Sequence, residues 1–225
     1  MNITIKLSGH ILFPKLGDAP DLQSYADAVM KVKAMGHRPF VVVGGGEPAR
    51  YYIKIARENG SDESSCDQVG IAVANLNAKI FSRILGDDAC QFVPVSSDDL
   101  DRALSTGRIV VMGGLQPGQS TNAVSGVLAE RSRSKLLIST TTVDGVYSGD
   151  PKKNRDAKRY SRITVGELRA ILDQMGTRAG EYDLLDPVAL KIIERSGITA
   201  KVIDGRDPKN ILRAIDEDIG TAVVP

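Results

Sequence analysis

The sequence predicts an α/β fold, a three-layer α-β-α sandwich around a central, mainly parallel sheet. Short apolar runs rich in Val and Ile alternate with longer segments of helical periodicity, which is the pattern of βαβ units. Several of the short runs lack polar alternation, as strands covered on both faces do. Glycine-rich or hydroxyl-rich clusters follow four of these runs, and ligands of parallel sheets gather at such strand ends.

Seven segments are predicted as strands because each is short, apolar and bounded by glycine or polar residues. In chain order they are residues 3–7, 40–43, 90–95, 109–112, 136–140, 200–203 and 222–224. The last of them is expected to close the sheet.

Eight segments are predicted as helices. Residues 21–36 begin on a capping aspartate and end on a glycine, and residues 47–60 carry Pro48 in their first turn. Residues 67–86 place apolar side chains at three-residue and four-residue steps. The others are residues 97–104, 121–132, 164–174, 187–196 and 208–215, while the basic, polar residues 148–162 are expected to form a long surface loop.

Composition limits the class of protein. A chain of 225 residues that is 42% hydrophobic is long enough for one sizeable core, and we expect a single domain over residues 1–225. The charges are nearly balanced, with 29 basic and 28 acidic residues, which argues against nucleic acid or an anionic membrane as a partner. Aromatic residues are only 4% and Trp is absent, so a base-stacking platform is not expected.

Cysteine usage and the N-terminus point to a cytoplasmic protein without a metal centre of its own. Cys66 and Cys90 lie far apart, and no spacing with His10 or His37 is typical of zinc. The N-terminal stretch has neither the basic nor the apolar region of a signal peptide. No run approaches the roughly 18 consecutive apolar residues of a membrane span.

The first two strand-end clusters offer groups that bind anions. In KLSGH (residues 6–10), Ser8 and Gly9 let backbone amides approach a ligand closely, and Lys6 supplies a charge; a strand that ends in an ordinary turn is the alternative. In VVVGGGEPAR (residues 41–50), three glycines precede a predicted helix, so their amides are candidates for an anion at its N-terminus. Arg50 is a candidate phosphate clamp.

The glycine triplet also fits the dinucleotide pattern GxGxxG/A, since Gly44, Gly46 and Ala49 have the required spacing. Asp67 follows at about the right distance, but it is expected to precede a helix rather than to end a strand. The match to a dinucleotide-binding unit is therefore weak.

The other two clusters carry hydroxyl groups. GGLQPGQST (residues 113–121), named here the QPG loop, is not a Walker A loop, because GxxxxGK[ST] occurs nowhere in the chain. Its donors are the hydroxyls of Ser120 and Thr121 with the amides of residues 118–121. STTTVDGVYSGDP (residues 139–151) combines ordinary turn dipeptides with Tyr147, a candidate to flank a base, and Asp150, a candidate to accept from a ribose.

Taken together, four such clusters carrying Lys6 and Arg50 predict a site for two phosphorylated ligands, with phosphoryl transfer between them. That chemistry needs positioning and neutralisation of spreading negative charge rather than a covalent nucleophile. The sequence agrees, since it contains no GxSxG elbow, no Cys/His pair and no HExxH.

The same blocks resemble the amino-acid kinase family, and within it most closely the uridylate (UMP) kinase branch of the archaeal type. They are KLSG, GGGEPAR, GGLQPGQST, TTVDGVYSGDPKK and LLDPVALKIIERSGI, in the family's order and along the whole chain. The VDGVYxxDP block is shared by many members. PGQST together with LDPxAxKIIERSGI is more specific to the UMP kinase branch.

The resemblance implies transfer of a phosphoryl group from ATP to UMP, with residues of about 1–130 on the UMP side and about 131–225 on the ATP side. It implies Lys6 and Arg50 as catalytic residues. The ATP site would comprise Lys6, Gly9, His10, Gly45, Arg50, Thr141, Thr142, Tyr147 and Asp150. The UMP site would comprise Gly44, Asp67, Leu115, Gln116, Pro117, Gly118, Gln119, Ser120 and Thr121. It also implies Mg²⁺ carried with ATP, a cytoplasmic homohexamer and a role in pyrimidine nucleotide synthesis.

Some positions depart from the family pattern. Asn122 stands where many members have Asp, Thr142 where Asn is usual, and His10 where Glu, Lys or Ser is common. Lys191 matches the family's helix and is interpreted as structural.

Other functions stay open at this point. The same fold serves kinases of carbamate, acylated amino acids and isopentenyl phosphate, although the His that isopentenyl phosphate kinases carry after the glycine triplet is replaced here by EPARYY. A non-catalytic protein that binds nucleotides or oxyanions would be expected to lack the charges of Lys6 and Arg50. A dinucleotide oxidoreductase is supported only by the GxGxxA match.

Overall fold

The computed structural model describes residues 1–18, 20–149, 156–174 and 185–225. A seven-stranded sheet lies at its centre, in the order β3-β2-β1-β4-β6-β7-β5. The strands are β1 (Asn2–Leu7), β2 (Arg38–Val43), β3 (Val111–Met112), β4 (Leu136–Thr141), β5 (Arg162–Thr164), β6 (Thr199–Asp204) and β7 (Thr221–Val224). Neighbouring strands are parallel except β6 and β7, so the predicted mainly parallel sheet is confirmed.

Nine α-helices are described within those residues: α1 (Gly9–Leu12), α2 (Leu22–Ala34), α3 (Gly46–Glu58), α4 (Glu63–Leu85), α5 (Ser97–Ser105), α6 (Thr121–Arg131), α7 (Val165–Gln174), α8 (Pro187–Ser196) and α9 (Lys209–Asp216). Side-chain caps fix several of their starts. Asp21 accepts from the Ser24 amide, and Asp186 accepts from the Ala189 amide at the start of α8. No helix in the described part of the chain is long and apolar enough to span a membrane.

The alternation of side chains along the strands builds the three layers. Val41 and Val43 of β2 join a core with α2, α4 and α9 on one face of the sheet. Phe40 and Val42 point to the other face and pack with Leu100 of α5 and residues of α6. A third cluster lies in the C-terminal half, where β4 and β6 pack against α7 and α8. The predicted sandwich is therefore confirmed.

The predicted strand at residues 90–95 is wrong. Only Ala89 pairs with the sheet, through a single bridge to Ile109, after which the chain turns outward. Gln91 and Phe92 are exposed, and Pro94 has no N–H to donate to a neighbouring strand. The apolar run at residues 90–95 therefore lies over neighbouring elements and does not form a strand of the sheet.

Two short elements were not predicted. β5 is a three-residue strand at the end of the expected surface loop, and it pairs in parallel with β7. α1 is a single turn directly after β1. Three or four residues are too few to display a helical or strand period.

Helix α4 begins four residues before its predicted start, because Asp62 accepts a hydrogen bond from the Ser65 amide at 2.8 Å and caps it there. Asp67 therefore lies inside the helix instead of preceding it. An acid inside a helix does not stand where a dinucleotide-binding unit needs one, at the end of a strand, which removes the support for that alternative.

Candidate active site

The four clusters lie at one edge of the sheet. Strands β3, β2, β1 and β4 are consecutive neighbours and parallel, so the segments that follow them leave from the same side. A cleft of about 240 Å³ opens at this edge. Nine predicted site residues line it: Lys6, Gly9, His10, Gly44, Gly45, Arg50, Asp67, Gln119 and Thr121.

The segments after β1 and β2 are in direct backbone contact. A Cβ on Gly9 would lie 2.1 Å from the Gly46 nitrogen, and a Cβ on Gly44 would lie 2.6 Å from the Gly9 nitrogen. Gly46 has a φ of +66°, a backbone conformation that residues other than glycine rarely adopt. The amide of Gly44 donates to the Leu7 carbonyl at 3.0 Å. Glycine is therefore required here so that two stretches of backbone can form one wall of the cleft.

Helix α4 holds both the glycine triplet and the QPG loop. Asn77 donates from Nδ2 to the carbonyl oxygens of Gly44 and Gly45, at 3.0 Å and 2.9 Å. Asn75 accepts from the Gly114 amide at 3.0 Å. A Cβ on Gly113 would lie 2.5 Å from the carbonyl carbon of Ala74, so the start of the loop packs directly on the helix. This role of α4 was not predicted from the sequence.

The QPG loop is tied down by its own amides. Asp67 accepts from the Gly118 amide at 2.8 Å, and the Gln119 amide donates to the Gln116 carbonyl at 3.2 Å. Two of the four amides that were candidate anion donors are thus already engaged within the protein. Ser120 caps α6 by accepting from the amides of Asn122 and Ala123, and its hydroxyl donates to Asp186.

The cleft combines cations with a helix N-terminus. Lys6 is 4% exposed near the end of β1, and Arg50 is exposed in the second turn of α3. Arg50 forms no ion pair with a carboxylate of the described residues. Helix α3 begins at Gly46, on the wall of the cleft, where the helix dipole favours an anion. The site therefore has the electrostatic character that a phosphate group needs.

The amide oxygen of Gln119 adds an acceptor. Its Oε1 atom is buried, and within the described residues it accepts no hydrogen bond. Gln119 lines the cleft, so a ligand that donates a hydrogen bond would satisfy this atom.

Thr140 joins the ends of β1 and β4. Its hydroxyl, fully buried, accepts from the Ser8 amide at 3.0 Å and donates to the Lys6 carbonyl at 3.1 Å. The Gly205 amide, just after β6, donates to the Thr141 carbonyl at 2.9 Å. The backbone that carries Lys6 is thereby fixed to the C-terminal half of the sheet.

The other predicted residues lie outside the lining of this cleft. Thr141 is the last residue of β4, Thr142 and Tyr147 follow it, and Asp150 is outside the described residues. The Tyr147 hydroxyl donates to Asp144 at 2.6 Å, and this bond to a carboxylate raises the pKa of Tyr147. Five predicted UMP-site residues of the QPG loop also lie outside the lining: Leu115, Gln116, Pro117, Gly118 and Ser120.

Several lining residues were not predicted. They are Ser8, Gly46, Ala49, Ile53, Gly70, Ile71, Ala74 and Gly114. Gly70 and Ala74 are one helical turn apart on α4, and small residues at that spacing allow close approach to a helix. That spacing was the one signal in the sequence that indicated a place for α4 in the lining of the cleft.

Comparisons with known proteins identify the family and agree with the fold. A sequence model of the Amino acid kinase family matches residues 1–204. The chain is 44% identical over 225 residues to a uridylate kinase of Methanothermobacter thermautotrophicus, covering all of both chains. It is 45% identical over 223 residues to a uridylate kinase of Methanoculleus marisnigri, covering 98% of this chain and 94% of that one.

Solved structures give the same result. The crystal structure of uridylate kinase from Archaeoglobus fulgidus superposes with a TM-score of 0.86 at 38% identity, covering 99% of this chain and 100% of that one. UMP kinase from Bacillus anthracis, 24% identical, has a TM-score of 0.82 over 99% of this chain and 95% of that one, and it supports the fold alone. The chain belongs to the amino acid kinase family.

Proposed function

We propose that this protein is a UMP kinase, which transfers the γ-phosphoryl group of ATP reversibly to UMP and yields ADP and UDP. The observation that carries the proposal is the cleft in which Lys6, Arg50, the glycine triplet and Asp67 meet beside the QPG loop. Two full-length relatives bear the name uridylate kinase, which supports UMP as the acceptor.

In this reaction a phosphate oxygen of UMP attacks the γ-phosphorus of ATP, and the bond from that phosphorus to the β,γ-bridging oxygen breaks. Negative charge spreads over the transferring oxygens and the leaving ADP. Lys6, at the end of β1, would neutralise the transferring group, and Arg50 with the N-terminus of α3 would hold phosphate oxygens. Lys6 is buried and the N-terminus of α3 is part of the backbone wall, so these two groups need little reorganisation during transfer.

We assign the two substrates to the two halves of the strand-end edge. UMP would bind against Gly44, Asp67 and the QPG loop, within about residues 1–130. ATP would bind along Gly9, His10, Gly45 and the segment after β4, with its nucleoside toward Thr141, Thr142, Tyr147 and Asp150. The bond that Thr140 makes to the backbone of Lys6 supports a reaction centre between these halves.

Mg²⁺ is proposed as the ion carried by ATP. It would be held chiefly by phosphate oxygens and water, because Mg²⁺ keeps several of its waters and needs few protein ligands. Among the described residues that line the cleft, Asp67 is the single carboxylate, so the protein offers no carboxylate cage and the ion would keep most of its waters. Bound Mg²⁺ would neutralise phosphate charge, while Lys6 and Arg50 act on the oxygens that it leaves uncovered.

The homohexamer, the cytoplasmic location and the role in pyrimidine nucleotide synthesis are further parts of this proposal. Exposed apolar side chains on α3 and α4 support burial of a surface between subunits; they include Tyr51, Tyr52, Ile55, Leu76 and Ile80. Light scattering coupled to size-exclusion chromatography would measure the number of subunits.

A coupled assay of ADP release tests the activity. UMP, CMP, dTMP, carbamate and isopentenyl phosphate are offered side by side with ATP and Mg²⁺. We expect turnover with UMP and at least about 100-fold lower kcat/KM with the others, because a site that hydrogen-bonds its substrate rejects analogues that leave its polar groups unpaired. Preferred turnover of carbamate or isopentenyl phosphate would contradict the proposal.

A further inference from the structure

One side chain of α4 fixes two peptide groups of the glycine triplet. The Nδ2 atom of Asn77 donates to the carbonyl oxygens of Gly44 and Gly45, and Asn77 is only 3% exposed. It does not line the cleft, whereas both glycines do. Asn77 therefore acts on the cleft from behind its wall.

The direction of these carbonyls determines the direction of two N–H groups. In a trans peptide the C=O and the N–H of one unit point opposite ways, and none of the described peptides is cis. The Gly44 carbonyl shares its unit with the Gly45 N–H, and the Gly45 carbonyl shares its unit with the Gly46 N–H. Because Asn77 draws both carbonyls toward α4, both N–H groups point away from that helix.

These two N–H groups belong to residues that line the cleft. Neither donates to an acceptor among the described residues, while the flanking amides of Gly44 and Glu47 donate to the carbonyls of Leu7 and Phe13. Successive free N–H groups at a helix N-terminus form a concave site for an anion. Arg50, one turn further along α3, adds a positive charge.

We propose that Asn77 is a positioning residue, which orients the Gly45 and Gly46 amides so that they hold a phosphoryl group in the cleft. The inference rests on the proposed function only for the identity of that group as a nucleotide phosphate. It assigns the site a binding device that does not touch the substrate.

The role requires a donor, which distinguishes Asn77 from its neighbour Asn75. Asn77→Asp keeps the shape but replaces the donor with an oxygen facing two carbonyl oxygens. Asn77→Leu has a similar shape, removes the donor and adds no charge. Asn75 accepts from the Gly114 amide, so Asn75→Asp keeps its bond. Asn59→Asp is the control for added charge, because Asn59 is exposed at the far end of α3.

Binding of inorganic tripolyphosphate, measured by isothermal titration calorimetry, tests the proposal without any turnover. We expect Asn77→Asp and Asn77→Leu to weaken binding by at least about ten-fold, as expected when amides that hold an anion lose their alignment. Asn59→Asp should bind within about two-fold of the unchanged protein, and Asn75→Asp should be weakened less than Asn77→Asp.

The outcomes separate the role of Asn77 from a merely structural one and from the proposed function. A folded Asn77→Leu protein with a lower Tm but unchanged tripolyphosphate affinity would overturn the inference, as would absence of tripolyphosphate binding to the unchanged protein. If Asn77→Asp does not fold, Asn77→Leu measured below its Tm decides the question. Weakened binding in a protein that does not phosphorylate UMP would keep the inference and reject only the UMP kinase activity.

Discussion

The segments after β1 and β2 differ from the segment after β4 in how they are held. Gly9, Gly44 and Gly46 are in backbone contact so close that no side chain fits between them. Tyr147, after β4, forms a backbone bridge with Arg159, and its side chain is held by a hydrogen bond from its hydroxyl to Asp144, which is exposed. Backbone contacts in a packed interior do not adjust to a change, whereas exposed side chains do. The end of the site that we propose for the phosphates is therefore preformed, and the end proposed for the nucleoside should tolerate substitution.

Lys6→Ala tests the preformed side most severely. We expect kcat to fall by about 10³-fold, because the substitution removes from a buried position the cation that we propose neutralises the transferring phosphoryl group. The measurement is steady-state kcat with ATP and UMP saturating. Lys54→Ala, an exposed position of α3, is the control and should leave kcat unchanged. Near-normal turnover of the Lys6→Ala protein would show that Lys6 has no catalytic role.

Gly9→Ala tests whether the close backbone contact is essential. The new Cβ would lie 2.1 Å from the Gly46 nitrogen, so one of the two segments must move. We expect the free energy of unfolding to fall by about 2–3 kcal/mol, in the range for overpacking, and kcat to fall with it. Urea denaturation and the ADP-release assay measure the two effects.

Gly166→Ala is the matched control for Gly9→Ala. Gly166 lies in α7, and a Cβ there meets no atom within 4 Å. The same change should raise stability by about 0.5–1 kcal/mol, since alanine is the better helix former. Equal effects of the two substitutions would contradict the view that contact, rather than loss of glycine itself, sets the cost.

Asp67→Asn tests whether the QPG loop belongs to the preformed side. Asp67 accepts from the Gly118 amide of the QPG loop, and asparagine can still accept there while it loses the charge. We expect KM for UMP to rise by about ten-fold, with a smaller change in KM for ATP, because we assign the loop to the UMP side. An effect confined to ATP would show that the two pockets are assigned the wrong way round.

The contrast between the two sides also explains what the sequence could predict. The order of strands and helices, and the four glycine-rich or hydroxyl-rich segments, were predictable because period and turn chemistry are local properties. The contact between Gly9 and Gly46 and the bonds of Asn77 were not, since they join segments that only the folded chain brings together. Residues 90–95 were misjudged because an apolar run reads alike in a buried strand and at a surface.

Tyr147→Phe should have the smallest effect, and it tests the segment after β4. The substitution removes the hydroxyl that donates to Asp144 at 2.6 Å and leaves the ring in place. We expect KM for ATP to change by less than about three-fold and the Tm to fall by about 1–3 °C, as for one hydrogen bond at a partly exposed site. Differential scanning fluorimetry and ATP titrations measure these changes.

The pH dependence of that Tm difference identifies its cause. The bond to Asp144 raises the pKa of Tyr147 above its ordinary value of 10.0, so the folded state favours the protonated phenol. Its stabilising contribution is complete below pH 10 and is lost as the pH rises through the raised pKa. The Tm difference between the two proteins should therefore narrow above pH 10. A change of about 100-fold in KM for ATP at neutral pH would instead show that this side is as rigidly preformed as the glycine contact.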